Sequence, residues 1–266
     1  MTLKELKEAK VVVDGYEMAL RFWKQKNMQG PAALSVALGG KLISFAYHSG
    51  KIENDNITCN DTRESFEHDS VTSCTGDLRT LFEIKNAKDA SDFIMGAYGE
   101  NQPLDMALLK KLQRELTKGT YNAQRYQAGE RPGEFKKHEY VTGKGEVGAA
   151  PEDVEEELQE VLDEIAAIGP GNKNVLTAAA YFHVKFENIH PFADGNGRTG
   201  RWGMNYFLLQ HNHPLIIVYQ EDRKLYYAAL EAWDKEQDLK AMQLFLKMET
   251  VRTWEKQVQQ FYGTFP

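Results

Sequence analysis

An apolar repeat at helical spacing constrains this chain more than any other feature. Residues 154–168 (VEEELQEVLDEIAAI) put Val154, Leu158, Val161, Leu162, Ile165 and Ile168 on one face and acids on the other, and Gly169-Pro170-Gly171 stops the run. Residues 104–117 repeat the pattern with Leu104, Leu108, Leu109, Leu112 and Leu116, ending ahead of Gly119. From Leu239 to Phe261 apolar residues recur largely in steps of three and four, through Met242, Phe245, Leu246, Val251, Trp254 and Val258. Residues 174–188 and 199–211 also read as helices. Strand signal is scarce. Residues 138–147 (HEYVTGKGEV) carry β-formers on both sides of Gly143-Lys144-Gly145 and predict a small hairpin, and residues 214–219 (PLIIVY) a short strand or a buried connection. The chain is therefore expected to be all-α with one small β-hairpin, an N-terminal helical region over 1–102 running into a helical core over 103–266.

Composition narrows the partners. The formal net charge of −7 argues against a nucleic-acid binder, which usually carries a basic stripe. An anionic substrate then has to be captured by a local cluster of arginine, lysine or backbone N–H groups. No run is long and apolar enough to span a bilayer, and the first residues (MTLKELKEAK) lack the apolar core of a secretion signal. Cys59 and Cys74 form neither a metal-ligand pattern nor a disulfide framework. These features predict a reduced, cytoplasmic protein with no nucleic-acid or membrane partner.

The stretch 190–201, HPFADGNGRTGR, carries the chemistry. Its glycines at 195, 197 and 200 fit the dinucleotide fingerprint, with Leu215–Tyr219 as a second strand and Glu221 or Asp222 as the ribose acid. That fold needs an apolar strand entering the first glycine, whereas a proline and an acid interrupt the approach and the preceding segment has helical period. The other reading uses every polar residue. Gly195, Asn196 and Gly197 make a tight loop ahead of a helix starting near Arg198, whose free N–H groups form an anion site. Arg198 and Arg201, three apart, share a face and can each fork onto phosphate. Asp194 would repel such a ligand unless a cation lies between, and Mg²⁺ suits one carboxylate plus phosphate oxygens. His190 can serve as a general base near neutral pH. The reaction class is phosphoryl or nucleotidyl transfer.

The same run resembles the signature of Fic-domain proteins, H-x-F-x-[D/E]-G-N-G-R-x-x-R, without a departure, and the resemblance extends from about Ser49 to about Asp234. It implies a helical core with a β-hairpin flap and transfer of AMP from ATP to a protein hydroxyl. It implies His190 as the base acting on a target Tyr, Ser or Thr, Phe192 as the buried anchor of the loop, and Asp194 as the Mg²⁺ ligand. The nucleotide falls to Asp194, Gly195, Asn196, Gly197, Arg198, Thr199, Gly200 and Arg201, with Arg201 on the γ-phosphate. Tyr226 and Tyr227 match a pair lining the adenosine pocket, and Asp234 stands where an asparagine is expected. Tyr140, Val141, Thr142 and Gly143, within a flap at about 140–147, match the segment that pairs with the target.

A second motif, Ser49-Gly50-Lys51-Ile52-Glu53-Asn54, resembles the family's inhibitory pattern [S/T]-x-x-x-E-[G/N] and implies that Glu53 pairs with Arg201 in the place of the γ-phosphate. The expected activity is thus an ATP- and Mg²⁺-dependent protein adenylyltransferase restrained by Ser49, Glu53 and Asn54, acting on another protein or on itself, and the family's habits admit a homo-oligomer. The alternatives are removal of AMP by the same site and a non-catalytic nucleotide-binding regulatory module. His183 reads as a core or helix-orienting histidine, and His138, His211 and His213 as surface or loop residues.

Overall fold

The structure, a computed structural model, describes residues 10–72, 76–142, 146–169 and 172–263. Cys74, the expected hairpin turn at Gly143-Lys144-Gly145 and the Pro170-Gly171 helix stop lie outside the described residues.

The described chain is all-α apart from one short strand pair. Its helices are α1 (Lys10–Gln25), α2 (Pro31–Glu53), α3 (Cys59–His68), α4 (Leu78–Gly99), α5 (Met106–Thr117), α6 (Ala123–Gln127), α7 (Val154–Ala166), α8 (Val175–Ile189), α9 (Asn196–Gln210), α10 (Arg223–Glu236) and α11 (Leu239–Tyr262). Side-chain caps set several starts. Thr58, Asp77, Asp105 and Asn122 accept the backbone N–H groups of Asp61, Thr80, Leu108 and Arg125, which the first helical turn leaves unpaired. Pro31 opens α2, where its missing N–H costs nothing. Between α6 and α7, Val141–Thr142 (β1) pairs antiparallel with Glu146–Val147 (β2), in the register Val141 to Val147 and Thr142 to Glu146.

Two apolar clusters hold the helices. One joins α7, α8, α10 and α11 through Leu158, Val161, Phe182, Phe186, Met242 and Phe245. The other joins the two ends of the chain, with Phe22 and Trp23 of α1 beside Trp254 and Val258 of α11, and continues through Leu38, Ile94, Leu112 and Trp202. α9 is buried along nearly its whole length and touches both clusters. A helix buried all round is a fixed platform, and the motif sits at its N-terminus.

Residues 214–219 form a connection, not a strand. Leu215, Ile216, Ile217 and Val218 are buried, so their backbone groups need partners without a sheet. Side chains supply them. Asn205 accepts from Ile216 N and donates to Ile216 O, Thr253 accepts from Ile217 N, Glu249 accepts from Tyr219 N, and Trp254 donates to Leu215 O. His213, expected at the surface, is 5% exposed. Its ring lies 2.9 Å from the Tyr16 hydroxyl and 3.1 Å from Pro214 O, so a contact with α1 nearly two hundred residues away buries it. His211 is half-buried, with ring nitrogens near Phe207 O and Ile168 O. His138 keeps a half-exposed ring against buried Glu130.

Candidate active site

The motif loop is built to hold its shape. α8 ends at His190, whose left-handed backbone (φ 52°, ψ 62°) turns the chain, and Gly195 makes a second left-handed turn (φ 80°) into α9. Between them Phe192 is fully buried against Phe135 and Phe186. Asn196 staples the loop from inside: its Oδ1 accepts from Phe192 N at 2.9 Å and its Nδ2 donates to Phe192 O at 2.7 Å. Thr199 donates to Gly195 O at 2.8 Å. The helix therefore begins at Asn196, two residues before the position expected from the sequence, because these bonds close its first turn. The amide of Asn196 and the hydroxyl of Thr199 hold the loop. Gly200 is required by packing, since a Cβ there would meet Glu187 Oε1 at 2.8 Å and Phe186 Cδ1 at 2.9 Å.

The two arginines sit in different surroundings. Arg201 is 1% exposed. Its Nε donates to Ser49 Oγ at 2.9 Å, and Nη2 donates to Ser49 O at 2.9 Å and to Glu53 Oε1 at 2.8 Å. Nη1 reaches the Tyr226 hydroxyl at 3.4 Å. The Glu53 carboxylate lies directly over the helix start, where a Cβ on Gly197 would overlap Glu53 Oε1. Arg198 is also buried, but turns toward α4 and α5, with Nη1 3.5 Å from Leu116 O and 3.8 Å from Glu83 Oε1, and Nε without a partner.

Asp194 stands among cations. Its Oδ2 accepts from Arg79 at 2.9 Å and from Arg125, its Oδ1 accepts from Gly195 N at 2.7 Å, and Arg198 Nη2 lies 3.6 Å from Oδ1. Burial alone would raise this carboxyl, but Arg198, Arg125 and Arg79 reverse the effect and hold it below the usual carboxylate range. Such a donor fits Mg²⁺: it is hard, ionised and beside an anion cradle, and a cation would take the place of one guanidinium. His190 is pushed down to about 4, first by burial and next by the charge of Lys136, so its imidazole is neutral near pH 7.

The sequence-predicted pair Tyr226 and Tyr227 is split. Tyr226 is 1% exposed and its hydroxyl bonds His183 Nε2 at 2.8 Å, whereas Tyr227 is 46% exposed beside the site. His183 is buried, as its place on an apolar helix predicts. Asp234 accepts from Asn188 Nδ2 at 3.1 Å. Asn54 caps α2 and donates to Glu83 Oε2 at 2.6 Å and to Thr80 Oγ1 at 3.1 Å. The Tyr140 hydroxyl donates to Glu130 Oε1 at 2.9 Å, anchoring the approach to β1. Sequence reasoning passed over Arg79, Glu83, Arg125 and Lys136. Each reaches the site from a distant segment and carries no local motif.

Comparison with known proteins finds a family match, related sequences and related folds. Residues 103–208 match the model of the Fic/DOC family. A protein of Drosophila persimilis called protein adenylyltransferase Fic is 28% identical over 207 residues, covering 76% of this chain and 38% of that one. A Nematostella vectensis protein of the same name is 39% identical over 84 residues, 32% of this chain and 20% of that one. The chain thus spans about two fifths or less of the length of these relatives. Among solved structures, a Fic domain-containing signaling protein from Bacteroides thetaiotaomicron superposes with a TM-score of 0.75 at 21% identity, covering 94% of this chain and 97% of that one. Fic-1 from C. elegans superposes at 0.70 with 21% identity, over 95% of this chain and 72% of that one. The motif thus lies inside the segment, residues 103–208, that matches the Fic/DOC family.

Proposed function

We propose that this protein is an adenylyltransferase that moves AMP from ATP to a Tyr, Ser or Thr hydroxyl of a protein, and that Glu53 restrains it. The observation that carries the reading is a neutral imidazole, His190, fixed next to a helix start flanked by Arg201 and by the carboxylate of Asp194. The target oxygen forms its bond to the α-phosphorus as the bond to the pyrophosphate oxygen breaks. His190 takes the hydroxyl proton and pyrophosphate leaves. Backbone N–H groups at the start of α9 cradle the phosphates, and Arg201, once free of Glu53, meets the γ-phosphate. Asp194 would hold Mg²⁺, which when bound neutralises phosphate charge. Tyr227, exposed beside the site, supports an adenosine contact better than Tyr226, whose hydroxyl is engaged. The target is another protein or the chain itself, in which case homo-oligomers would present one copy to the next, and free, exposed Cys59 suits a reducing cytoplasm. No described helix is long and apolar enough to cross a membrane.

A second reading rests on Glu53, whose side chain is 35% exposed over the cradle. A carboxylate there can activate water against an AMP-modified protein, making the same site remove AMP. Incubation with ATP labelled at the α- or γ-phosphate tests the first reading: label enters protein from the α-position only, and His190→Ala abolishes it. Normal labelling by His190→Ala would end the proposal. Loss of AMP from a modified target with wild type, and not with Glu53→Gly, would favour the second. Tight ATP binding without turnover in any variant would leave a regulatory module.

A further inference from the structure

Lys136 is 3% exposed, a rare state for lysine. Its backbone N–H donates to Pro191 O at 2.9 Å and its Nζ donates to Ile189 O at 3.2 Å. One residue therefore grips both carbonyls that flank His190. Between those carbonyls the backbone takes the left-handed conformation at φ 52°, which a residue with a side chain seldom adopts without support. Ala149 N adds a bond to Ile189 O at 3.0 Å. The adjacent residue, Phe135, packs its ring at a tilt against Phe192 with centroids 5.4 Å apart, so the Phe135-Lys136 pair docks as a unit under the loop.

Gly148 shows how close the ammonium and the histidine lie. A Cβ there would meet Ile189 O at 2.5 Å, His190 Cβ at 2.7 Å and Lys136 Nζ at 3.0 Å. The three converge on one spot that only glycine leaves open.

We propose that Lys136 is a positioning residue for His190: it clamps the left-handed turn through both flanking carbonyls and sets a fixed positive charge beside the imidazole. Two effects follow from one side chain. The clamp fixes where the ring points, and the charge opposes a second cation, keeping the ring a base. Other groups act on the ring as well. Burial opposes its charging most strongly, and the Glu187 backbone, Glu53 and Asp194 favour it. Lys136 itself is lowered by burial, with Glu139 and Glu157 opposing that.

The inference rests on His190 being the base, and its test is kept separate from that reading. The His190 ring is titrated by NMR in wild type, Lys136→Gln, Lys136→Met and Lys136→Arg. Gln keeps a donor for Ile189 O without the charge, and Arg keeps both. The apparent pKa of His190 is expected to rise by about one unit in Gln and Met and to stay near wild type in Arg. AMP transfer in Met is expected to fall about tenfold in kcat with little change in the KM for ATP, and Arg is expected to restore it. A His190 titration unchanged in both Gln and Met would overturn the proposal, as would Met retaining full kcat. The titration needs no turnover, so a failure of the adenylyltransferase reading would show in His190→Ala and leave it untouched.

Discussion

Replacing Glu53 with glycine removes one acceptor from Arg201 and one negative charge from the place proposed for the γ-phosphate. Arg201 does not swing free, because Ser49 keeps two bonds to it, one from Oγ to Nε and one from the carbonyl to Nη2. The guanidinium stays aimed with one fork open. A charge-assisted hydrogen bond contributes about 1.5–3 kcal/mol. Glu53 is 35% exposed, so solvent screening places it at the lower end, about 1.5 kcal/mol. That is about tenfold in affinity at 1.4 kcal/mol per decade. Titration calorimetry with a non-hydrolysable ATP analogue and Mg²⁺ should therefore show Kd about tenfold lower in Glu53→Gly. Intact-mass analysis with ATP should show AMP added to protein where wild type shows little. Glycine in the last turn of a helix and the loss of the ion pair should lower Tm by about 2–4 °C. An unchanged Kd in a variant that folds would refute the reasoning, because it would mean the Glu53–Arg201 contact does not compete with nucleotide.

Further expectations concern the surrounding groups. Glu83→Gln weakens the carboxylate that Arg79, Arg198 and Asn54 share, and should raise nucleotide affinity severalfold by calorimetry while leaving Glu53 in place. Phe192→Ala empties a fully buried ring position at the base of the loop and should cost about 3–5 kcal/mol in denaturant unfolding. Glu249 is pushed up to about 9, chiefly by burial, so the folded protein holds a proton that the unfolded chain releases near 4.5. Its stabilising contribution is complete below about pH 4.5 and is lost as pH rises toward 9, so Glu249→Gln should raise Tm more at pH 8 than at pH 5.

The parts legible in the sequence are those fixed locally. The helical period of 154–166 and 239–262 follows from side chains a turn apart, and the order of His190, Asp194, Arg198 and Arg201 follows from their spacing around one loop. The Ser49-to-Asn54 motif also foretold a contact 148 residues away, between Glu53 and Arg201. What stayed hidden depends on tertiary convergence. Arg79 meets Asp194 across 115 residues and Lys136 meets Ile189 across 53, and no pattern near either residue marks them. The roles of Asn196 and Tyr226 were similarly obscured: both types suit ligand contact, and only the observed bonds to Phe192 and His183 show that their polar atoms are already engaged.

Glu53 is the last helical residue of α2, held at its outer edge by Asn54 and Glu83. The motif loop, by contrast, is locked from beneath by Phe192, Asn196 and Lys136. The restraint proposed for Glu53 and the proposed machinery thus rest on different supports, one at a helix end and one beneath the loop. Unwinding the last turn of α2 would lift the carboxylate from the cradle and expose Ile52, but would leave the Asn196 and Lys136 bonds to the loop in place. On the proposed function, a partner that frays this helix end would relieve Glu53 without breaking the bonds that shape the loop.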